Sequence, residues 1–119
     1  MTKRRVRMVI LCEDSQQEAF IRRFLKGMGW NTRELRVEKS PSAGGAAEQW
    51  VRERFPDELM VYRQRRKRAA SALILMIDAD RKNMADRITE IRSECRLRQV
   101  SFREDGEAVG LVIPKRNIE

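Results

Sequence analysis

The chain contains no histidine. That absence removes Ser-His-Asp and Cys-His nucleophile systems, histidine general bases and every histidine-ligated zinc site. Its two cysteines, Cys12 and Cys95, are too few for a structural zinc centre or a disulfide-stapled secreted scaffold. With three prolines and six glycines, a collagen-like or Pro/Gly-rich disordered chain is excluded. No apolar run approaches the roughly 20 residues a bilayer crossing needs. No signal peptide is read at the start either: the apolar run over residues 6–12 is interrupted by Arg7 and stops at Glu13 and Asp14. The expected setting is a reducing cytoplasm with no membrane partner. Carboxylates and a hard cation are then the means left for any chemistry.

Cationic charge is what the chain has in excess. Its 119 residues carry 26 Lys and Arg against 18 Asp and Glu, a net charge of +8. An excess on this scale points to a polyanion, most often nucleic acid, or to a solubilising surface with no specific partner. The length suits one domain, residues 1–119, and a hydrophobic content of 41% supplies one core. The ending Val-Ile-Pro-Lys-Arg-Asn-Ile-Glu reads like a lead into another element, so a fragment of a longer protein is the alternative to a complete domain.

The pattern along the chain alternates. Residues 8–12 (Met-Val-Ile-Leu-Cys) read as a buried strand. Ser15-Gln-Gln-Glu18 has the capping-box pattern of a helix start. Phe20, Phe24 and Met28 recur every four residues beside Ile21 and Leu25, predicting one apolar helical face. Residues 32–39 form a weak alternating strand, and residues 40–45 a loop. A second helix begins near Ala46, and Pro56 is expected to break it or to start a new one. Residues 72–77 (Ala-Leu-Ile-Leu-Met-Ile) are apolar on both faces, as a central parallel strand should be. A third helix follows over residues 83–96, with Met84, Ile88, Ile91 and Cys95 on one stripe. Residues 98–108 are a loop or a short extra strand, and residues 109–113 a last strand closed by Pro114. The order β-α-β-α-β-α-β predicts an α/β fold: a three-layer sandwich with a roughly four-stranded parallel sheet and helices on both faces.

Ligands of open α/β sheets bind at the carboxyl ends of the strands. Three acidic residues fall there: Glu13 after the first strand, Asp78 and Asp80 after the third. If strand geometry continues through Asp78 and Asp80, their side chains share a side, about 6.5 Å apart at Cα. Two carboxylates so close repel unless a cation lies between them, and an oxygen-only donor set suits Mg²⁺, with Mn²⁺ as the alternative. The competing reading is structural. A lone acidic residue before a helix commonly serves as a cap or dipole partner, and Asp-x-Asp is common in turns. Asp14 either caps the helix or joins the cluster.

Val9-Ile-Leu-Cys-Glu-Asp14 together with Leu73-Ile-Leu-Met-Ile-Asp-Ala-Asp80 resembles the Toprim domain of topoisomerases, bacterial primases, ribosomal-RNA maturases, recombination proteins and the overcoming-lysogenisation-defect nucleases. The resemblance extends from Arg5 to Ile113, and Gly44-Gly45 is similar to glycines often found after that family's second strand. It departs at Asp14, where the family commonly has Gly or Asn. The resemblance implies a Toprim-like α/β domain in which Asp78 and Asp80 hold Mg²⁺ and Glu13 acts as general acid or base or as a further ligand. Glu119 would be an additional ligand at the same edge. It also implies a role in DNA repair or in defence against mobile elements.

Arg63, Arg65, Arg66, Lys67 and Arg68 place five cations in six residues. They read either as a solvated helix end or as phosphate-backbone contacts. Arg81 and Lys82 could touch a scissile phosphate or simply begin the next helix, and Lys115 and Arg116 follow the last strand at the same edge. The only tyrosine, Tyr62, reads as a helix-face residue among arginines, so a topoisomerase nucleophile is not expected. The expected function is a Mg²⁺-dependent phosphodiester hydrolase, a nuclease acting on DNA or RNA. Its alternatives are a non-catalytic nucleic-acid-binding or regulatory module, and a sugar-nucleotide transferase that the short chain argues against. Specificity would come from a homodimer, a partner protein or sequence beyond Glu119.

Overall fold

The computed structural model describes residues 6–41, 46–79 and 82–114. Four strands, β1 (Met8–Cys12), β2 (Leu35–Lys39), β3 (Ala72–Met76) and β4 (Val109–Val112), form one sheet in the order β2-β1-β3-β4. Every pairing is parallel: Met8 lies opposite Leu35 on one side and Ala72 on the other, and Leu73 opposite Val109. Three helices, α1 (Ser15–Gly27), α2 (Ala46–Arg65) and α3 (Met84–Leu97), make the crossovers. The fold is the expected three-layer α/β arrangement.

Period-two alternation divides the strand residues between two cores. Val9, Leu11, Leu73 and Leu75 pack against Val51, Phe55 and Leu59 of α2 and Ile91 and Cys95 of α3. Met8, Ile10, Cys12 and Met76 face Ile21 and Leu25 of α1. All five residues of β1 are buried, because it is a central strand covered on both faces.

Four local expectations are corrected. The capping-box reading of Ser15 gives way to Asp14, whose expected capping role holds: its Oδ1 accepts from the Gln17 N–H at 2.9 Å and its carbonyl from the Glu18 N–H at 3.1 Å. The apolar face of α1 is split. Ile21 and Leu25 are buried, while Phe20, Phe24 and Met28 are 54%, 53% and 65% exposed. One helix on that side of the sheet has no neighbour to cover its outer flank, and the Phe20 and Phe24 rings stack on each other instead, 6.3 Å apart. Pro56 neither breaks nor starts a helix, since α2 runs through it. An interior proline costs about 3 kcal/mol. Val51, Phe55 and Leu59, each fully buried on either side of it, contribute about 1.5–3 kcal/mol apiece and outweigh that cost. Residues 32–34 form a 3-10 turn capped by Asn31, so β2 starts only at Leu35.

α3 begins one residue later than expected, with Asn83 as N-cap accepting from the Asp86 N–H at 2.8 Å. On its stripe Ile91 and Cys95 are buried, while Met84 is exposed. Residues 98–108 hold no strand. They are a loop pinned to α2, where the Ala108 N–H donates to the Tyr62 hydroxyl at 2.7 Å and Arg63 pairs with Glu107. No helix among the described residues is long and apolar enough to cross a membrane.

Candidate active site

The strand order fixes where a ligand can approach. From β1 the chain turns through α1 to β2, on one face and in one direction. From β3 it turns through α3 to β4, on the other face and in the opposite direction. The connections therefore diverge at the carboxyl ends of β1 and β3 and leave a crevice between them, the switch point of an open α/β sheet. Glu13 and Asp78 stand on its two sides.

The backbone explains how they meet. β3 keeps an extended course beyond Met76: the Ile77 N–H donates to the Val112 carbonyl and the Ala79 N–H to the Pro114 carbonyl, both 3.1 Å. Ile77 and Ala79 also continue the buried alternation toward α2 and α3. Alternate N–H groups of a parallel strand point to opposite neighbours. The N–H of Asp78 thus points toward β1, which has already ended at Cys12. The Glu13 carboxylate fills that vacancy, and its Oε2 accepts from the Asp78 N–H at 2.5 Å. The expected extension of strand geometry holds through Asp78 to Ala79. Asp80 lies outside the described residues, as do Arg81, Lys115, Arg116, Glu119, Gly44 and Gly45.

Two side chains that sequence reasoning missed hold this pair in place. Gln17 clamps Glu13 from the first turn of α1, accepting from the Glu13 N–H at 2.8 Å and donating to Oε2 at 3.1 Å. Its signal was the four-residue spacing Glu13 to Gln17, which places both on the entry turn. Arg87, whose side chain is only 6% exposed, donates through Nε to the Asp78 carbonyl at 2.9 Å. Its Nη1 reaches Glu48 at 2.8 Å and Glu90 at 3.0 Å. The signal for Arg87 was its place four residues before Ile91 and eight before Cys95, on the stripe that faces the core.

Burial raises the pKa of Glu13 above the usual carboxylate range, and the charges of Asp78 and Asp14 push the same way against the two hydrogen bonds. Both of those bonds fall on Oε2. Oε1 has no hydrogen-bond partner among the described residues. A half-buried carboxylate with one oxygen held and the other unengaged fits a hard cation or a proton-transfer role. Asp14 is committed to its capping bond. Among the described residues no three acidic or sulfur side chains converge as a metal centre.

The predicted run Arg63 to Arg68 does not gather here. α2 ends where β3 begins, so Arg63 to Arg68 sit at the amino edge of the sheet, opposite Glu13 and Asp78. Arg63 binds Glu107 at 2.7 Å and the Ser101 carbonyl at 2.8 Å, and Arg66 pairs with the same Glu107 at 3.3 Å. Arg65, Lys67 and Arg68 make no ion pair among the described residues. Lys82, at the carboxyl edge, is paired with Glu90 at 2.5 Å. Tyr62 is buried at the far edge, with its hydroxyl in the core-side bond to Ala108. No family model, curated protein or solved structure matches the chain.

Proposed function

We propose that the chain is a metal-dependent phosphodiester hydrolase of Toprim type, acting on DNA or RNA through Glu13, Asp78 and Asp80. The observation that carries this reading is the Glu13 carboxylate hydrogen-bonded to the Asp78 N–H across the switch point of the sheet. Two acidic residues from separate strands are thereby drawn to the place where an open parallel sheet binds ligands. The resemblance of the segments ending in Glu13 and in Asp78-Ala79-Asp80 supports the same reading.

Asp78, Asp80 and the unengaged oxygen of Glu13 would hold Mg²⁺ or Mn²⁺, an all-oxygen donor set for a hard ion. A bound divalent ion supplies charge neutralisation at the phosphate and a more acidic water. The chain's own contribution is positional. Gln17 and the Asp78 amide fix the Glu13 carboxylate. Arg87 fixes the carbonyl of Asp78 from behind. The raised pKa of Glu13 makes it a better proton acceptor than an ordinary carboxylate.

The alternative, a non-catalytic nucleic-acid-binding module, draws on the unpaired cations Arg65, Lys67 and Arg68 at the opposite edge. One experiment separates the two. Purified protein is incubated with plasmid and with structured RNA in Mg²⁺, in Mn²⁺ and in EDTA. The expected result is metal-dependent cleavage that Glu13→Gln, Asp78→Asn and Asp80→Asn each reduce by about 100-fold or more. Cleavage that persists in the aspartate variants would sink the site assignment. Salt-sensitive binding without cleavage in any metal would favour the binding module.

A further inference from the structure

The described cations are paired to different extents at the two edges of the sheet. At the carboxyl edge they are neutralised. Lys39 is paired with Glu18 at 3.4 Å, Lys82 with Glu90, and Arg87 with both Glu48 and Glu90. Arg52 and Arg54, on the first half of α2, are likewise bound to acidic side chains. At the amino edge only some are: Arg7 pairs with Glu34, Arg63 and Arg66 with Glu107, and Arg98 with Asp57. Lys26 in the last turn of α1, Arg65, Lys67 and Arg68 at the end of α2, and Arg92 and Arg96 in the second half of α3 make no ion pair among the described residues. All three helices run from the carboxyl to the amino edge of the sheet, so their cationic ends converge there. The hydrogen bond from the Ala72 N–H to the Arg7 carbonyl and that from the Leu73 N–H to the Ala108 carbonyl mark this edge as the common start of the strands.

The shape agrees with the charge. Two open grooves flank the α2–α3 layer there, one lined by Arg65 and Arg68, the other by Arg92 and Arg96. In the second groove the Arg92 guanidinium lies over the Phe102 ring, 5.0 Å from its centroid, which holds the cation at the groove wall. Helix carbonyl ends attract some cationic charge for stability alone. That need is met by one cation in a last turn, and Arg65, Lys67 and Arg68 stand at and just past the end of α2 with no ion pair among the described residues.

We propose that the amino edge of the sheet is a phosphate-backbone-binding face for nucleic acid, distinct from and opposite to the Glu13–Asp78 edge. The inference deepens the nucleic-acid reading above and rests on it for the choice of polyanion. It locates binding and chemistry on different edges, so that affinity and cleavage are separable properties. A nucleic acid held by this face reaches the carboxylates only by passing around the domain or as a second segment.

The test is binding in EDTA, where cleavage cannot contribute. Fluorescence anisotropy of a labelled 30-base-pair DNA duplex, and of an RNA duplex of the same sequence, is followed from low to moderate salt. The protein is compared with the triple variant Arg65→Ala, Arg68→Ala, Arg96→Ala and with Lys39→Ala, each checked for folding by circular dichroism. Each phosphate contact contributes about 0.9 to the slope of log K against log salt on duplex DNA. The expected result is a slope reduced by more than one in the triple variant, a loss of affinity of about tenfold or more, and no change in Lys39→Ala. A reduction of one or less, an equal effect of Lys39→Ala, or binding to anionic phospholipid vesicles but to neither duplex would overturn the proposal. Binding that behaves as expected in a chain that cuts nothing with Mg²⁺ or Mn²⁺ would sink the hydrolase reading and leave this face standing. The DNA and RNA arms tell which backbone it prefers.

Discussion

Replacing Arg87 by methionine tests whether the buried arginine organises the candidate site. Methionine keeps the aliphatic bulk and removes the charge. The guanidinium makes three bonds, to the Asp78 carbonyl and to the carboxylates of Glu48 and Glu90, from a side chain 6% exposed. Breaking a buried pair by deleting one partner typically costs about 3–5 kcal/mol, because the other charge stays desolvated. Here the acidic partners keep second cations: Glu48 retains Arg52 and Glu90 retains Lys82. That softens the loss to about 2–3 kcal/mol, most of it from the lost bond to the Asp78 carbonyl and the poorer packing beside Ile91. The assay is urea unfolding followed by far-UV circular dichroism, with the midpoint falling and the m-value unchanged. Arg87→Lys restores a charge but not the two-direction fork, and is expected to recover less than half of the loss. A destabilisation below about 0.5 kcal/mol in Arg87→Met would refute the argument that this side chain ties α2, α3 and the end of β3 together.

The remaining expectations follow from the same geometry. Arg63 holds Glu107 well below the usual carboxylate range. A depressed pKa gives stability that is complete above the unfolded value near 4.3 and is lost as pH falls through the folded one. Glu107→Gln should therefore flatten the acid limb of a stability–pH profile, and an unchanged limb would count against the pair. Glu58 has the opposite sign: burial raises its pKa, with Glu38 adding, against the lowering charges of Arg36 and Arg54 at 3.5 and 3.4 Å. Its protonated form is favoured on folding, so its contribution is complete below the unfolded pKa and declines as pH rises through the folded one. Calorimetric Tm values for Glu58→Gln across that window should lose this decline. Cys12 is fully buried with its thiol pushed up to about 11, and Cys95 is buried too. A thiol reagent at pH 8 should label neither until the protein is unfolded, and rapid native labelling would contradict the core assignment. On α1, Leu25→Ala should cost about 2–5 kcal/mol and Phe24→Ser less than about 0.5, reversing the order that residue size alone suggests.

The architecture was legible because the signals that specify it are local. A β-branched run that stops at charges, and a six-residue apolar stretch ending at Asp78, can each be only a buried strand, and their alternation with helical patterns leaves a parallel sheet. What misled was any feature whose outcome depends on a neighbour. Phe20, Phe24 and Met28 share a helical spacing with a core stripe, yet only a second helix beside α1 could bury them. Pro56 is a breaker in isolation and is overruled by the apolar side chains packed on both sides of it. Arg63 to Arg68 form one run in the chain, but Glu107, 44 residues beyond Arg63, pairs with two of the five.

The site shows the same division more sharply. That Glu13 and Asp78 lie at strand ends follows from the sequence, since both strands stop there. That they touch does not, because contact requires β1 and β3 to be adjacent, and the order β2-β1-β3-β4 puts the first strand beside the third across 65 residues. Once the strands are adjacent, the bond is close to obligatory. Beyond Met76 the chain stays bonded on the β4 side through Ile77 and Ala79, and the Asp78 amide between them points to where β1 has ended. A carboxylate one residue past the end of β1 is the nearest acceptor. Held there, it is half-buried beside a second acidic residue, a combination that costs stability unless something positive completes it. The different courses of the chain just beyond β1 and β3, a feature of backbone geometry alone, therefore create the electrostatic demand that a divalent ion or a shared proton would satisfy.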